Sequence, residues 1–369
     1  MIYLDSAATS LLKPPSVYEA MERAVRTMAS PGRGGHAPAM KAAETVYDCR
    51  AAAAELFGVP EPEQVVFTSS ATHGLNIAIR SLVTPGGRAV VSGYEHNSVT
   101  RVLRDIGAET DPARSPLFDP DAAVRAFREK IPGAQAVICN HVSNVFGFVL
   151  PVYEIAALCR EQGVPFILDA SQSAGAERVD FSALGAAFIA MPGHKGLMGP
   201  QGTGILLCGE PGKPLLCGGT GSESRNQDMP DFLPDRLEAG THNVTGIAGL
   251  LEGIRYVAAE TPESIGERER RLKSAAAEML ADVPGLQVFS GGESQAGVLS
   301  VRHESMDCET VCALLAEKGI AVRGGLHCAP LAHGTAGTLD TGTVRLSFSP
   351  FTKLREVEKA CGVLRKIVN

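Results

Sequence analysis

Six short apolar runs punctuate the first part of the chain: QVVFT (64–68), RAVVS (88–92), AVICNH (136–141), PFILDA (165–170), AFIAM (187–191) and GILLC (204–208). None alternates apolar with polar positions as a half-solvated strand does, and turn residues bound them, so they predict strands buried on both faces. Between them lie amphipathic stretches of helical length, such as PDAAVRAFREKI and VYEIAALCREQ. Buried strands separated by helices predict an α/β domain around a mostly parallel sheet over residues 16–250, with ligands gathered at the strands' carboxyl ends.

Around residue 250 the texture changes. GIAGLLEGIRYVAAE and GERERRLKSAAAEMLADV read as long helices. After them come AGVLSVRHE, an amphipathic helix over 307–318, IAVRGG, a glycine-rich loop, TVRLSFSP and a final helix from 352. The expectation is a smaller α+β domain over 251–369, joined by the N-terminal segment 1–15. No internal repeat or low-complexity linker separates the two.

Composition narrows the function. With 369 residues, 44% hydrophobic and 20% charged, the chain can bury a large core; a net charge of -7 without dense Lys/Arg runs argues against nucleic acid or an anionic membrane as partner. The start, MIYLDSAATSLLKPP, lacks the blocks of a signal peptide, and no stretch approaches the ~18 apolar residues of a membrane span, which predicts a cytoplasmic protein. Nine scattered cysteines without a C-x-x-C pair suggest neither a disulfide framework nor a zinc site. Cys308 and Cys312 can share a helical face, and CETVCALL reads as core packing.

Candidate chemistry clusters after the predicted strands. Lys195, in the turn of AFIAMPGHKGLMGPQGTG, is either a surface loop lysine or one desolvated enough to form a Schiff base. Asp169 in PFILDASQ is either a capping aspartate or a carboxylate that pairs with the ring nitrogen of pyridoxal phosphate. In FTSSATHG, a helix start offers amides at Ala71, Thr72 and His73 that suit a phosphate, although plain capping explains the hydroxyls equally well. His96 suits stacking on a planar ring or a structural role, and Asn144 is similarly open.

The ordered set AATHG, EHNS, HVSN, DASQ, GHKGLMGPQGTG, EAGTHN, RGGLHCA and VRLS spans the chain and resembles the cysteine desulfurase and selenocysteine lyase family of class V aminotransferase-fold enzymes. The resemblance implies a fold type I pyridoxal 5'-phosphate transferase in which Lys195 carries the cofactor and Asp169 pairs with its pyridine nitrogen. It implies that Gln172 contacts the ring hydroxyl, that His96 stacks on the ring and that Asn144 lies beside it. Ala71, Thr72 and His194 would hold the phosphate, joined by Thr241 of a second subunit, which implies a homodimer. Arg345 would grip the substrate carboxylate, a task its two-pronged fork suits. Cys328 would take sulfur from L-cysteine as a persulfide, leaving L-alanine, with Lys195 moving the Cα proton.

R-x-G-x-H-C-A resembles the second group of that family, whose short, ordered cysteine loop usually serves a dedicated acceptor protein. Selenocysteine is equally compatible as substrate. His327 neighbours the thiol, and His36 and His333 stand in glycine-rich stretches from which each is a candidate to reach the site. The sequence departs from the family at Pro192, where a serine often serves the phosphate, at Ser6-Ala7-Ala8-Thr9 in place of N-A-A-T, and at Cys328-Ala329-Pro330-Leu331, one residue shorter than C-A-x-P-L. Two rivals remain: an aminotransferase in which Lys195, Asp169 and Arg345 keep their roles and Cys328 is incidental, and a cofactor-free scaffold.

Overall fold

The computed structural model describes residues 1–32 and 34–368. The six apolar runs all become strands of one seven-stranded sheet. Up to residue 130 the elements are β1 (Ile2–Tyr3), α1 (Pro15–Thr27), α2 (Ala37–Phe57), β2 (Val65–Thr68), α3 (Ala71–Leu82), β3 (Arg88–Ser92), α4 (Asn97–Asp105), β4 (Glu109–Ala113) and α5 (Pro120–Lys130). Then follow β5 (Ala136–Asn140), α6 (Val152–Glu161), β6 (Phe166–Asp169), α7 (Phe181–Leu184), β7 (Phe188–Pro192), β8 (Gly204–Cys208) and α8 (Val244–Glu260).

The sheet runs β2-β8-β7-β6-β5-β3-β4, and its strands from β7 to β4 are parallel. β8 runs antiparallel to both β2 and β7. β2 therefore points the same way as the parallel set, and the segments after β2, β3, β5, β6 and β7 all emerge at one edge. β5, β6 and β7 are buried along their whole length, as their unalternating composition requires. Within this sheet the one strand not anticipated is β4, whose sequence ETDPA is polar and contains a proline. It lies at the sheet's edge, where proline's missing N–H is tolerated.

The expected division near 250 falls inside α8, which packs on α1 and α2. The architecture changes at the turn into α9 (Pro262–Leu280). Beyond it β9 (Leu286–Phe289), β10 (Val298–His303), α10 (Cys308–Glu317), β11 (Ile320–Ala321), β12 (Arg323–Gly325), α11 (Pro330–Ala336), β13 (Thr343–Ser347) and α12 (Leu354–Val368) complete the chain. β12-β13-β10-β9 form an antiparallel sheet, and β1 pairs in parallel with β11. Leu4 lies in the same apolar cluster as Leu299, Leu346 and Leu364, so the N-terminal segment packs with this second unit. Cys308 belongs to that cluster and Cys312 packs against it. Among the described residues, no helix is long and apolar enough to cross a membrane.

α8 crosses the turn after β7 at very short range. A Cβ on Gly253 would stand 2.2 Å from the Leu197 carbonyl oxygen and 2.9 Å from the Gly199 nitrogen. Backbone cannot yield as a side chain can, so G253A is expected to destabilise the fold by about 1–3 kcal/mol, measured by denaturant unfolding; an unchanged midpoint would contradict this packing.

Candidate active site

The carboxyl ends of the parallel strands deliver the candidate residues to one cavity. Its wall includes Ala71 and Thr72 after β2, His96 after β3, Asn144 after β5, Asp169 and Gln172 at and after β6, and His194 and Lys195 after β7. Pro192 lines it too, and hydroxyls of Ser70, Ser98 and Ser171 stand in the same wall, so the departure at 192 leaves the cavity well supplied with hydroxyl groups.

Each side chain is fixed from the sequence upward. Ser70 caps α3, its hydroxyl accepting from the His73 amide at 3.2 Å, so the amides of Ala71 and Thr72 at the helix start have no intrahelical acceptor and face the cavity end. His96 caps α4 through Nδ1, which accepts from the Ser98 amide at 3.0 Å and lies 2.9 Å from the Ser98 hydroxyl. Burial holds its pKa well below the ordinary histidine value, so the ring is neutral at pH 7. Asp169 ends a buried strand and accepts from the Ser171 amide at 2.9 Å. Burial lowers the pKa of Lys195 to about 8, with Asp169 opposing the shift and Arg345 and Arg323 adding to it.

Glu95, the acid of EHNS to which no motif assigned a role, is fully buried beside His96. Ser92 Oγ is 2.5 Å from Glu95 Oε1 and 2.6 Å from Asn140 Oδ1, and Glu95 also accepts from the Asn140 amide at 2.7 Å. Burial, reinforced by the negative Asp169, raises Glu95 to about 8. This uncharged acid ties the end of β3 to the end of β5, one residue from His96.

The N-terminal segment is the second contributor that composition alone did not expose. The Ala7 carbonyl accepts from Gln172 Nε2 at 2.9 Å, Thr9 Oγ1 lies 3.0 Å from His194 Nδ1, and the Ser10 hydroxyl donates to the His194 carbonyl at 2.9 Å. Asp5 Oδ1 accepts from Arg345 Nη2 at 2.6 Å. Arg345 is only 1% exposed and also donates through Nη1 to the Asn144 carbonyl at 2.9 Å.

The cysteine loop docks on this assembly. Asn144 Nδ2 donates to the His327 carbonyl at 2.8 Å, and the Asn97 amide donates to the Cys328 carbonyl at 2.8 Å. His327 and Cys328 both take left-handed backbone, with φ of 49° and 56°, and α11 begins two residues later. The two side chains part. Cys328 is exposed, whereas His327 is buried with Nε2 3.1 Å from the Thr343 carbonyl, its pKa pushed down to about 2 by burial and the positive Arg345. The cation beside the thiol is instead Arg323, whose Nη2 lies 3.9 Å from Sγ.

His333 is buried behind His327, 2.7 Å from the Thr338 hydroxyl, and His36 is an exposed N-cap of α2; neither lines the cavity. Thr241 is exposed, in a neighbouring cleft of about 530 Å3 that shares Ser70 and Thr72 with the cavity. Among the described residues no cluster suits a metal ion.

The aminotransferase class-V family model matches residues 2–360. The chain belongs to that family. Relatives of this chain include two proteins named probable cysteine desulfurase. The one from Pyrococcus abyssi is 32% identical over 397 residues, covering 100% of this chain and 94% of that protein. The one from Methanothermobacter thermautotrophicus is 30% identical, covering 99% and 94%. Among solved structures, the apo cysteine desulfurase of Thermococcus onnurineus NA1 superposes with a TM-score of 0.91 at 32% identity, covering 100% of this chain and 94% of that one. Cysteine desulfurase CsdA of Escherichia coli gives 0.85 at 28% identity, covering 100% and 95%.

The cavity of this class-V chain fits a pyridoxal phosphate. Asn144 Oδ1 is buried in its wall without a hydrogen-bond partner among the described residues, a helix start offers free amides, and a carboxylate and an amine of lowered pKa face the same space. A lowered pKa leaves the amine neutral, and hence nucleophilic, above pH 8. In the cofactor-free protein, reductive alkylation of Lys195 by a small aldehyde is therefore expected to rise with a midpoint near pH 8, against ~10.4 for an ordinary lysine. Peptide mass mapping across pH measures it, and a midpoint at the ordinary value contradicts the desolvation argument.

Proposed function

We propose that the chain is a pyridoxal 5'-phosphate-dependent cysteine desulfurase that converts L-cysteine to L-alanine and takes the sulfur onto Cys328 as a persulfide. The observation that carries this is the docking of the Cys328 loop, through Asn97 and Asn144, onto the cavity that Lys195 and Asp169 share. The names of the relatives point the same way.

In this reading Lys195 anchors the cofactor through Nζ, Ala71, Thr72 and His194 receive its phosphate, and Gln172 meets its ring hydroxyl. The neutral ring of His96 would stack on it, and Asp169 would hold a proton on the ring nitrogen. The bound cofactor supplies an electron sink for charge developing at the substrate Cα. Lys195 Nζ would also move the Cα proton, and the burial that lowers its pKa to about 8 in the cofactor-free protein suits a base working at neutral pH. Asn144 Oδ1 offers an acceptor beside the substrate, and Arg345 takes the α-carboxylate.

Cys328, as thiolate, attacks the substrate's sulfur. An S–S bond forms as the Cβ–S bond breaks, and the pair left on carbon is reprotonated to alanine, so that L-cysteine and the Cys328 thiol give L-alanine and a Cys328 persulfide. Arg323, 3.9 Å from Sγ, is the cation placed to attend the thiolate. Exposure of Cys328 lets an acceptor protein reach the outer sulfur.

The reading includes a homodimer in which Thr241 completes the other subunit's phosphate site. Exposure of Thr241, together with the exposed Leu215 and Leu216 in the same cleft, supports it.

One assay tests the proposal: alanine released from L-cysteine, L-selenocysteine and cysteine sulfinate, with persulfide measured in parallel. K195A is expected to lose alanine formation by at least ~100-fold, and C328A to lose persulfide and cysteine turnover. Cysteine turnover undiminished in C328A, with amino transfer to a 2-oxo acid, would favour an aminotransferase. Selenocysteine turnover surviving alone in C328A assigns the chain to selenocysteine instead. No turnover of any substrate sinks the proposal.

A further inference from the structure

The arginine expected to take the substrate's carboxylate already has a carboxylate on it. Arg345 Nη1 donates to the Asn144 carbonyl at 2.9 Å and Nη2 to Asp5 Oδ1 at 2.6 Å, while the buried Nε finds no acceptor among the described residues. In a guanidinium, Nε–H and one N–H of Nη2 run parallel along one edge, at the spacing of a carboxylate's two oxygens. Nη2, one of the two nitrogens of that edge, already meets Asp5, and Nε, the other, is an unmet donor.

Asp5 is fixed by its backbone and free to turn only by its side chain. Its backbone is pinned: the carbonyl accepts from the Ala8 amide at 3.0 Å and the Tyr3 hydroxyl at 3.1 Å, and the residue bridges Ser347 beside β13. Its side chain is nevertheless 20% exposed, so the carboxylate has water to turn towards when another anion arrives. Arg323 is the cross-strand neighbour of Arg345 and keeps the local field positive.

We propose that Asp5 sets the affinity of the site for α-carboxylates: it is an internal carboxylate that occupies Nη2 of Arg345 between turnovers and that the substrate's α-carboxylate must displace to gain the two-bond edge. The inference rests on the desulfurase reading for the identity of that substrate. Asp5 weakens capture of every α-carboxylate alike and returns to Nη2 as alanine departs. A ligand without the carboxylate does not compete with it.

D5N tests this, because asparagine keeps an oxygen acceptor for Nη2 and removes the charge. The comparison uses the holoenzyme, with L-alanine and L-alaninamide binding measured by calorimetry and KM for L-cysteine measured kinetically. D5N is expected to bind alanine about 5- to 10-fold more tightly, to lower KM in the same direction, and to leave alaninamide affinity unchanged. Should D5N not fold, D5S, whose hydroxyl is too short to reach Nη2, is expected to give the same pattern. Alanine affinity that is unchanged or weaker, or an equal gain for alaninamide, makes Asp5 a brace of the N-terminal segment and overturns the inference. A wild-type enzyme that neither binds alanine nor forms it from cysteine overturns the desulfurase reading and this inference with it; a responsive wild type with an unresponsive D5N overturns the inference alone.

Discussion

A single buried guanidinium joins the three parts of the molecule that the chemistry needs. Arg345 sits on the small antiparallel sheet, reaches Asp5 on the N-terminal segment, and donates to the carbonyl of Asn144 at the carboxyl edge of the large sheet. A cation at 1% exposure is tolerable only with such partners, since an uncompensated buried charge costs several kcal/mol. The pairing therefore dictates where the N terminus runs, and the N terminus in turn meets Gln172 and His194. Asn144 passes the constraint on through its amide to the His327 carbonyl, next to Cys328.

The charges around the cavity follow from the same economy of space. Lys195, Arg323 and Arg345 crowd one side, which is why arginines as well as burial depress the lysine. An ionised Glu95 would set a second negative charge near Asp169, and that repulsion adds to burial in raising its pKa. Burial outweighs the hydrogen bonds from Ser92 and Asn140 and keeps Glu95 mostly protonated, so this group ties β3 to β5 with little added charge.

The sequence made the strands legible because β5, β6 and β7 are buried on both faces and have little choice of composition. The polar, proline-bearing β4 carried no such signal; only its edge position makes it a strand. Likewise Lys195, Asp169 and His96 stood out because each follows a strand that could be read. Arg323 did not, since its closeness to Cys328 depends on pairing opposite Arg345, a register set by tertiary contacts. His327 looked like the thiol's partner by adjacency, but consecutive left-handed residues turn the two side chains apart.

That turn also explains how a loop shortened after Ala329 still presents its cysteine. Two consecutive left-handed non-glycine residues cost on the order of 1–3 kcal/mol each, so something must hold them. His327 does so by lying buried against the Thr343 carbonyl, and Asn144 and Asn97 bind the carbonyls of residues 327 and 328. Pro330 then starts α11 at once, where a missing N–H is harmless. The missing residue is thus taken from the return path of the loop, not from the stretch that carries the thiol. The histidine beside the cysteine acts as its anchor, leaving the sulfur exposed at the end of a fixed turn with Arg323 as its cation.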